Sequence, residues 1–382
     1  MNSQERHEAR FQRRKAKRLA DKSLKTAEFD KLENICSCNA LYKAARESRK
    51  SIRWKASTQR YYMNLLPNII ETHDKILSGK NITQGFIEFT LCERGKVRHI
   101  KSVHFKERVV QRSLCDNALV PMLRRTLIYD NGASLQGKGI LFAHKRLKTQ
   151  LHQYYRKNGF SNDGYILLLD FKSYFDSIQH DPIYKMLDKQ FTDKRICALT
   201  KTMIEPFGSQ SVGIGSQVSQ IIAVSYRNPI DRIVKQKMRA KYYACYMDDS
   251  YIIHSNKQFL WACLQEIQAE CEKLGIKLNT RKTQIVKLSH GFTYMKNTYY
   301  LTKSGKVIVK PCKKNTTRER RKLKKFKLLY DNGKIGIDDV LCNLNSYLGH
   351  IKKDYNSYRT QTEMKILFHK LFGNIPINRK EL

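Results

Sequence analysis

The run Cys245-Tyr-Met-Asp-Asp-Ser-Tyr-Ile-Ile-His254 sets two adjacent carboxylates inside a β-prone segment. Tyr, Ile and Cys suit a half-buried strand, whereas Asp is depleted there. Two like charges side by side therefore mark either a turn between two short strands or a holder of something positive. Read outward, 240–254 forms a β-hairpin whose tip carries Asp248 and Asp249. The segment 256–275 follows as a helix with Phe259, Leu260, Cys263, Leu264, Ile267, Cys271 and Leu274 on one face and Gly275 as C-cap.

Upstream, YILLLD (165–170) is a short continuous apolar run ending in an acid, the pattern of a buried central strand. A helix over 181–191 begins with an Asp N-cap and Pro at its first position. VGIGSQ (212–217) is a glycine loop leading into a helix from Val218 to about Lys237, despite Pro229. Downstream, 276–286 returns as a strand. Strand, helix, hairpin, helix and strand in that order make a split βαβ sheet with helices on one side. The segment 86–103 reads as two strands around a turn at 93–96, and 107–125 carries apolar residues at helical spacing. Residues 131–155 form a glycine-punctuated loop running into a helix.

The 382 residues carry 73 Lys+Arg against 34 Asp+Glu, a net charge of +39. With 41% hydrophobic residues the chain folds, and a field of that sign finds its natural counterpart in a polyphosphate. A ribosome-associated or merely soluble basic protein is the bland alternative. The N-terminus is charged throughout, without the apolar segment of a signal peptide. No stretch approaches the roughly 18 consecutive apolar residues of a membrane span. The 10 cysteines are scattered, with no zinc or disulfide spacing, which suits a reducing cytoplasm.

Asp170 and the Asp248-Asp249 pair lie far apart in sequence, but a strand end and a neighbouring hairpin tip can meet at one sheet edge. Three carboxylates there repel one another unless cations neutralise them, and hard oxygen ligands favour Mg²⁺. Two such ions can serve an in-line phosphoryl transfer. A solvated Asp-Asp turn is the competing reading of the pair alone.

Four ordered blocks resemble the reverse transcriptase family. Tyr246-Met247-Asp248-Asp249 resembles its YxDD box, and Asp170-Phe-Lys-Ser-Tyr-Phe-Asp-Ser-Ile178 its first metal-ligand block. Ile214-Gly-Ser-Gln-Val-Ser-Gln220 resembles the loop opening its nucleotide-pocket helix, and Leu274-Gly-Ile-Lys-Leu-Asn279 with Lys282-Thr283 the block after the hairpin. The resemblance implies an α+β right-hand polymerase: a basic arm over 1–28, fingers over 29–160, a palm with the split βαβ sheet over 161–310, and a basic helical thumb over 311–382.

It also implies roles. Asp170, Asp248 and Asp249, with the carbonyl of Phe171, bind two Mg²⁺ ions, for which Mn²⁺ is a substitute. Lys282 protonates the pyrophosphate leaving group. Phe175 acts as a steric gate against a 2′-hydroxyl, with Tyr174 beside it as a rival for that place. Gly215 lets the backbone approach the incoming base, while Ser219 and Gln220 contact template and nucleotide. Arg98 and Lys138 grip the triphosphate, and Arg108 and Gln111 face the template. The expected partners are an RNA template, a DNA or RNA primer, deoxynucleotides, a structured cognate RNA and an accessory protein, with no membrane.

Ile214 before Gly215 and Gln220 after Ser219 resemble enzymes of diversity-generating retroelements, and a domesticated anti-phage defence enzyme is an equal expectation. Gly291-Phe-Thr-Tyr294 stands roughly where the family has its primer-grip block. Rival readings are a template-independent or protein-primed DNA polymerase and a catalytically silent RNA-binding scaffold.

Overall fold

A computed structural model describes residues 3–93, 96–352 and 356–377, without the side chains of residues 3, 15, 17–25, 93, 96, 98 and 352. The strands among these run β1 (Phe86–Glu93), β2 (Lys96–Val103), β3 (Tyr165–Leu169), β4 (Phe171–Lys172), β5 (Tyr242–Tyr246) and β6 (Asp249–His254). They continue as β7 (Lys277–Leu278), β8 (Gln284–Lys287), β9 (Phe292–Tyr294), β10 (Asn297–Leu301) and β11 (Val307–Pro311). The chain divides into two compact units, one from 1–139, 171–239 and 265–278, the other from 140–170, 240–264 and 279–382.

In the first unit the basic arm is a helix, Ser3–Thr26, and β1 and β2 pair as the expected hairpin. The apolar spacing after it forms the helix Phe105–Leu114, whose Phe105 and Val109 pack against Leu41, Ala45, Tyr61 and Ile69. A π turn, Cys115–Leu119, separates that helix from Val120–Arg124. Pro121 has no N–H to return to the preceding turn, and a locally widened ladder accommodates this. The expected helix over 181–191 begins earlier, as His180–Gln190 with Gln179 at its N-cap, so Asp181 sits inside the first turn. The helix Gln217–Tyr226 is buried from Val218 onward except at Gln220, which suits its largely apolar sequence. It stops at Arg227, and Asn228–Arg232 restarts with Pro229 in its first turn, so the single helix to Lys237 is not formed.

The second unit holds the sheet, in the order β5-β6-β3-β8 with every neighbouring pair antiparallel. This is the split βαβ order. Ile166, Leu168, Tyr251 and Ile253 share a core with Leu147 and Leu151 of the helix Ile140–Lys157, and with Phe292 and Tyr299 of the three-stranded sheet β11-β10-β9. The chain from Lys313 forms the helices Lys313–Asp331, Ile337–Lys352 and Tyr358–Phe372. They close on a core of their own, with Leu323, Val340, Leu344, Met364 and Phe368. Among the described residues no helix is long and apolar enough to cross a membrane.

Candidate active site

The β5–β6 hairpin closes through a two-residue loop. Tyr246 pairs with Asp249, leaving Met247 and Asp248 as the turn. Asp248 is therefore at the tip, while Asp249 opens β6. Met247 adopts φ +54°, at the loop position where such turns favour glycine. Leu169 pairs with Ser250, so Asp170, next along the chain, comes level with Asp249 at the sheet edge. The first strand block and the hairpin meet as the resemblance implies.

The expected strand over 276–286 is broken, and the break builds the site. Between β7 and β8, Asn279 donates its main-chain N–H to the Asp170 carbonyl at 2.8 Å and its Nδ2 to Asp170 Oδ1 at 3.0 Å. Its own Oδ1 accepts from Arg281 N–H at 3.2 Å, and its carbonyl accepts from the N–H groups of Lys282 and Thr283. That turn delivers Lys282 Nζ to Asp170 Oδ2 at 2.6 Å. Partial burial works against the Lys282 charge. The Asp170 hydrogen bond and the charges of Asp170, Asp249 and Asp248 outweigh it and hold the ammonium above its usual range.

Asp170 is buried, with each carboxylate oxygen bound inside the protein. Among the described residues no three His, Cys, Asp or Glu side chains are drawn together tightly enough to hold a metal ion. The donor chemistry nonetheless suits a hard divalent cation, because Asp170 comes level with Asp249 beside Asp248 and the charges of all three favour the Lys282 ammonium. Asp170 would offer such a cation Oδ2, the oxygen to which the Lys282 ammonium is bonded. Asp170, Asp249 and Lys282 line a cavity of about 590 Å³ bordered by Met295, Tyr300 and Lys313. The Gly291–Tyr294 segment reaches it through Thr293 and Tyr294. The following turn, Met295-Lys296, has both residues at positive φ.

The first unit carries the remaining expected residues. Gly215 has φ +112° with open space where a Cβ would stand, and Ser216 caps the next helix. Ser219 is buried and donates its hydroxyl to the Val212 carbonyl, whereas Gln220 is exposed. Gln217 and Gln220 border a groove of about 720 Å³ together with Arg112, Arg124 and Gln136. Arg108 and Gly215 line a smaller cavity beside it. Gln111 is buried, and both ends of its amide are bound within the protein.

Tyr174 is core, with its hydroxyl donating to the Ala223 carbonyl at 2.6 Å, while Phe175 beside it is half-buried. The Phe171 ring is buried beneath the Arg227 guanidinium. Lys138 Nζ donates to the Tyr129 carbonyl at 2.5 Å, over the Tyr129 ring. The Arg98 side chain lies outside the described residues, although its backbone pairs with Leu91. Sequence reasoning missed Asn279, Ser216 and Glu107 as site-building residues. An Asn in a strand-prone run and a Ser between a glycine and a helix are the signals for the first two.

The reverse transcriptase (RNA-dependent DNA polymerase) family profile matches residues 93–318, more than half of the chain. Domains of that family generally use divalent metal ions. A search of curated proteins finds no match. Solved structures that align with the chain include two telomerases. Apo telomerase from Candida tropicalis, truncated of its C-terminal domain, aligns at 14% identity and TM-score 0.44, over 58% of this chain and 54% of that one. Telomerase from Candida albicans in complex with the TWJ fragment of telomeric RNA aligns at 10% identity and TM-score 0.48, over 83% of this chain and 66% of that one.

Proposed function

We propose that this chain, which belongs to the reverse transcriptase family, is an RNA-directed DNA polymerase extending a primer with deoxynucleotides on an RNA template. The observation that carries this reading is the meeting of Asp170 with the Asp248-Asp249 hairpin, with Lys282 bonded to Asp170.

Asp170, Asp248 and Asp249, with the Phe171 carbonyl, would hold two Mg²⁺ ions, Mn²⁺ substituting, that supply Lewis-acid stabilisation of the attacking and leaving oxygens. Asn279 orients the Asp170 carboxylate from its second oxygen. Lys282 remains an ammonium at neutral pH and gives its proton to the departing pyrophosphate. Arg98 and Lys138 bind triphosphate oxygens, and Lys138 leaves the Tyr129 carbonyl to do so. Phe175 excludes a 2′-hydroxyl by bulk. Gly215 brings main chain close to the base, and Tyr246 and Met247 of the hairpin contact nucleotide or template. Arg108 and Gln220 face the template, and Ser219 braces the loop that carries it. The basic helices from Lys313 follow the duplex through its phosphates.

The net charge of +39 supports a structured cognate RNA as a further partner, with the basic N-terminal helix as its docking arm or that of an accessory protein. A bacterial retroelement or anti-phage setting and a cytoplasmic location complete the proposal. The test is primer extension on poly(rA)/oligo(dT) with Mg²⁺, comparing dTTP with UTP, beside an Asp248→Ala/Asp249→Ala variant. Extension with dTTP only, lost in the variant, supports the reading. Silence of the wild type with and without its co-purifying RNA overturns it, and extension that ignores the added template redirects it to template-independent synthesis.

A further inference from the structure

Three buried polar side chains connect the helix Phe105–Leu114 to the glycine loop. Ser216 Oγ accepts the Ser219 N–H at 3.3 Å as helix cap. It therefore sends its own proton outward, to Gln111 Oε1 at 2.9 Å. That contact sets which way the Gln111 amide points, and its Nε2 donates to Glu107 Oε1 at 3.1 Å. Glu107 also accepts the Gln84 main-chain N–H. Glu107, Gln111 and Ser216 are 3%, 2% and 6% exposed. At such burial each broken link leaves an unsatisfied polar group. A buried carboxyl is costly unless it is hydrogen-bonded, and here the Gln111 amide and the Gln84 N–H supply those bonds.

We propose that Glu107 and Gln111 are positioning residues that act through Ser216 to set the Gly215 loop and the first turn of the helix Gln217–Tyr226. Resting on the polymerase reading above, this assigns Gln111 to nucleotide-pocket geometry rather than to template contact. The chain has one direction only: serine hydroxyl to amide oxygen, amide nitrogen to carboxylate. Exchanging the two residues preserves it. A glutamate at 111 accepts from Ser216 and from a glutamine at 107, whose oxygen still takes the Gln84 N–H. Gln111→Glu alone instead sets two carboxylates against each other.

The experiment is hydrogen–deuterium exchange of segment 213–222 in the full chain, without substrate, for wild type, Gln111→Glu, Ser216→Ala and the Glu107→Gln/Gln111→Glu exchange. Both single variants are expected to exchange roughly five- to tenfold faster in that segment, the scale of a lost cap. The double exchange is expected to return to the wild-type rate. Where Gln111→Glu fails to fold, Ser216→Ala and the double exchange still decide. A double exchange no better protected than Ser216→Ala, or single variants with wild-type protection, overturns the proposal. In primer extension the single variants raise the deoxynucleotide KM several-fold while the primer–template Kd stays fixed. A weakened Kd that the double exchange does not restore would return Gln111 to the template. The exchange arm needs no turnover, so an inactive wild type would sink the polymerase reading while the hold of Glu107 and Gln111 on the Gly215 loop is still decided.

Discussion

Asn279 holds Asp170 at two points, its main-chain N–H on the Asp170 carbonyl at 2.8 Å and its Nδ2 on Asp170 Oδ1 at 3.0 Å. Backbone and carboxylate of the first metal-ligand candidate are thus fixed by one residue. Asn279→Ala removes the carboxylate contact and keeps the other. Outer partners of ligand carboxylates typically account for about 10- to 100-fold in activity or metal affinity. Primer extension by Asn279→Ala is expected to fall by that factor, with a thermal midpoint near wild type. Full activity in this variant would remove Asn279 from the site.

Lys282 should separate two measurements. Its ammonium occupies Asp170 Oδ2 at 2.6 Å and shares the field of all three carboxylates. Lys282→Met removes a competitor for the metal and the proposed proton donor together. Mn²⁺ binding, followed by electron paramagnetic resonance on the protein alone, is expected to tighten several-fold. The extension rate is expected to fall by about a hundredfold, at the low end of general-acid contributions. Weaker Mn²⁺ binding in Lys282→Met would show that the lysine supports the site rather than competing for it.

Gly215 tests the loop by backbone alone. Its φ of +112° suits glycine, and an added Cβ would meet nothing within 4 Å. Gly215→Ala therefore adds conformational strain without a clash, on the order of 1–3 kcal/mol. A lower melting temperature together with a raised deoxynucleotide KM is the expected result. An unchanged KM would mean that no substrate approaches this stretch.

The carboxylate hairpin was legible because β-prone residues flank a pair they would not tolerate inside a strand. What the pattern could not say is how the loop closes. A two-residue turn beginning at Met247 leaves only Asp248 at the tip and draws Asp249 into β6. The split βαβ arrangement was readable from the succession of strand, helix, hairpin, helix and strand, in which 165–170 is a short continuous apolar run. The strand expected over 276–286 hid its own interruption. Asn279 still gives its N–H across to the Asp170 carbonyl, but its own carbonyl accepts from Lys282 and Thr283 and its Oδ1 from Arg281, so the pairing stops there. Likewise Pro229 opens a new helix where a continuous one was expected. Glu107 and Gln111 sit four apart on a helix, a spacing shared with countless surface pairs, so nothing in the sequence marks this pair as buried.

Acid should loosen the first unit in a defined window. Glu71, on the helix Leu65–Leu77, accepts from Lys106 Nζ at 2.6 Å and Lys75 Nζ at 2.7 Å. The bonds to Lys106 and Lys75 hold its carboxyl down at about 2, against an ordinary value of 4.5. A carboxylate with a depressed folded-state value stabilises fully above its unfolded value, and the contribution is lost as pH falls through the folded one. The window therefore runs from about 4.5 down to about 2. Glu71 is 48% exposed, so solvent screening limits the pair to about 1 kcal/mol or less. Urea unfolding of Glu71→Gln at pH 7 should show that deficit. The gap to wild type should narrow below pH 4.5 and nearly close by pH 2. A deficit that is the same at pH 7 and pH 2.5 would trace the loss to packing of the side-chain stem instead of its charge.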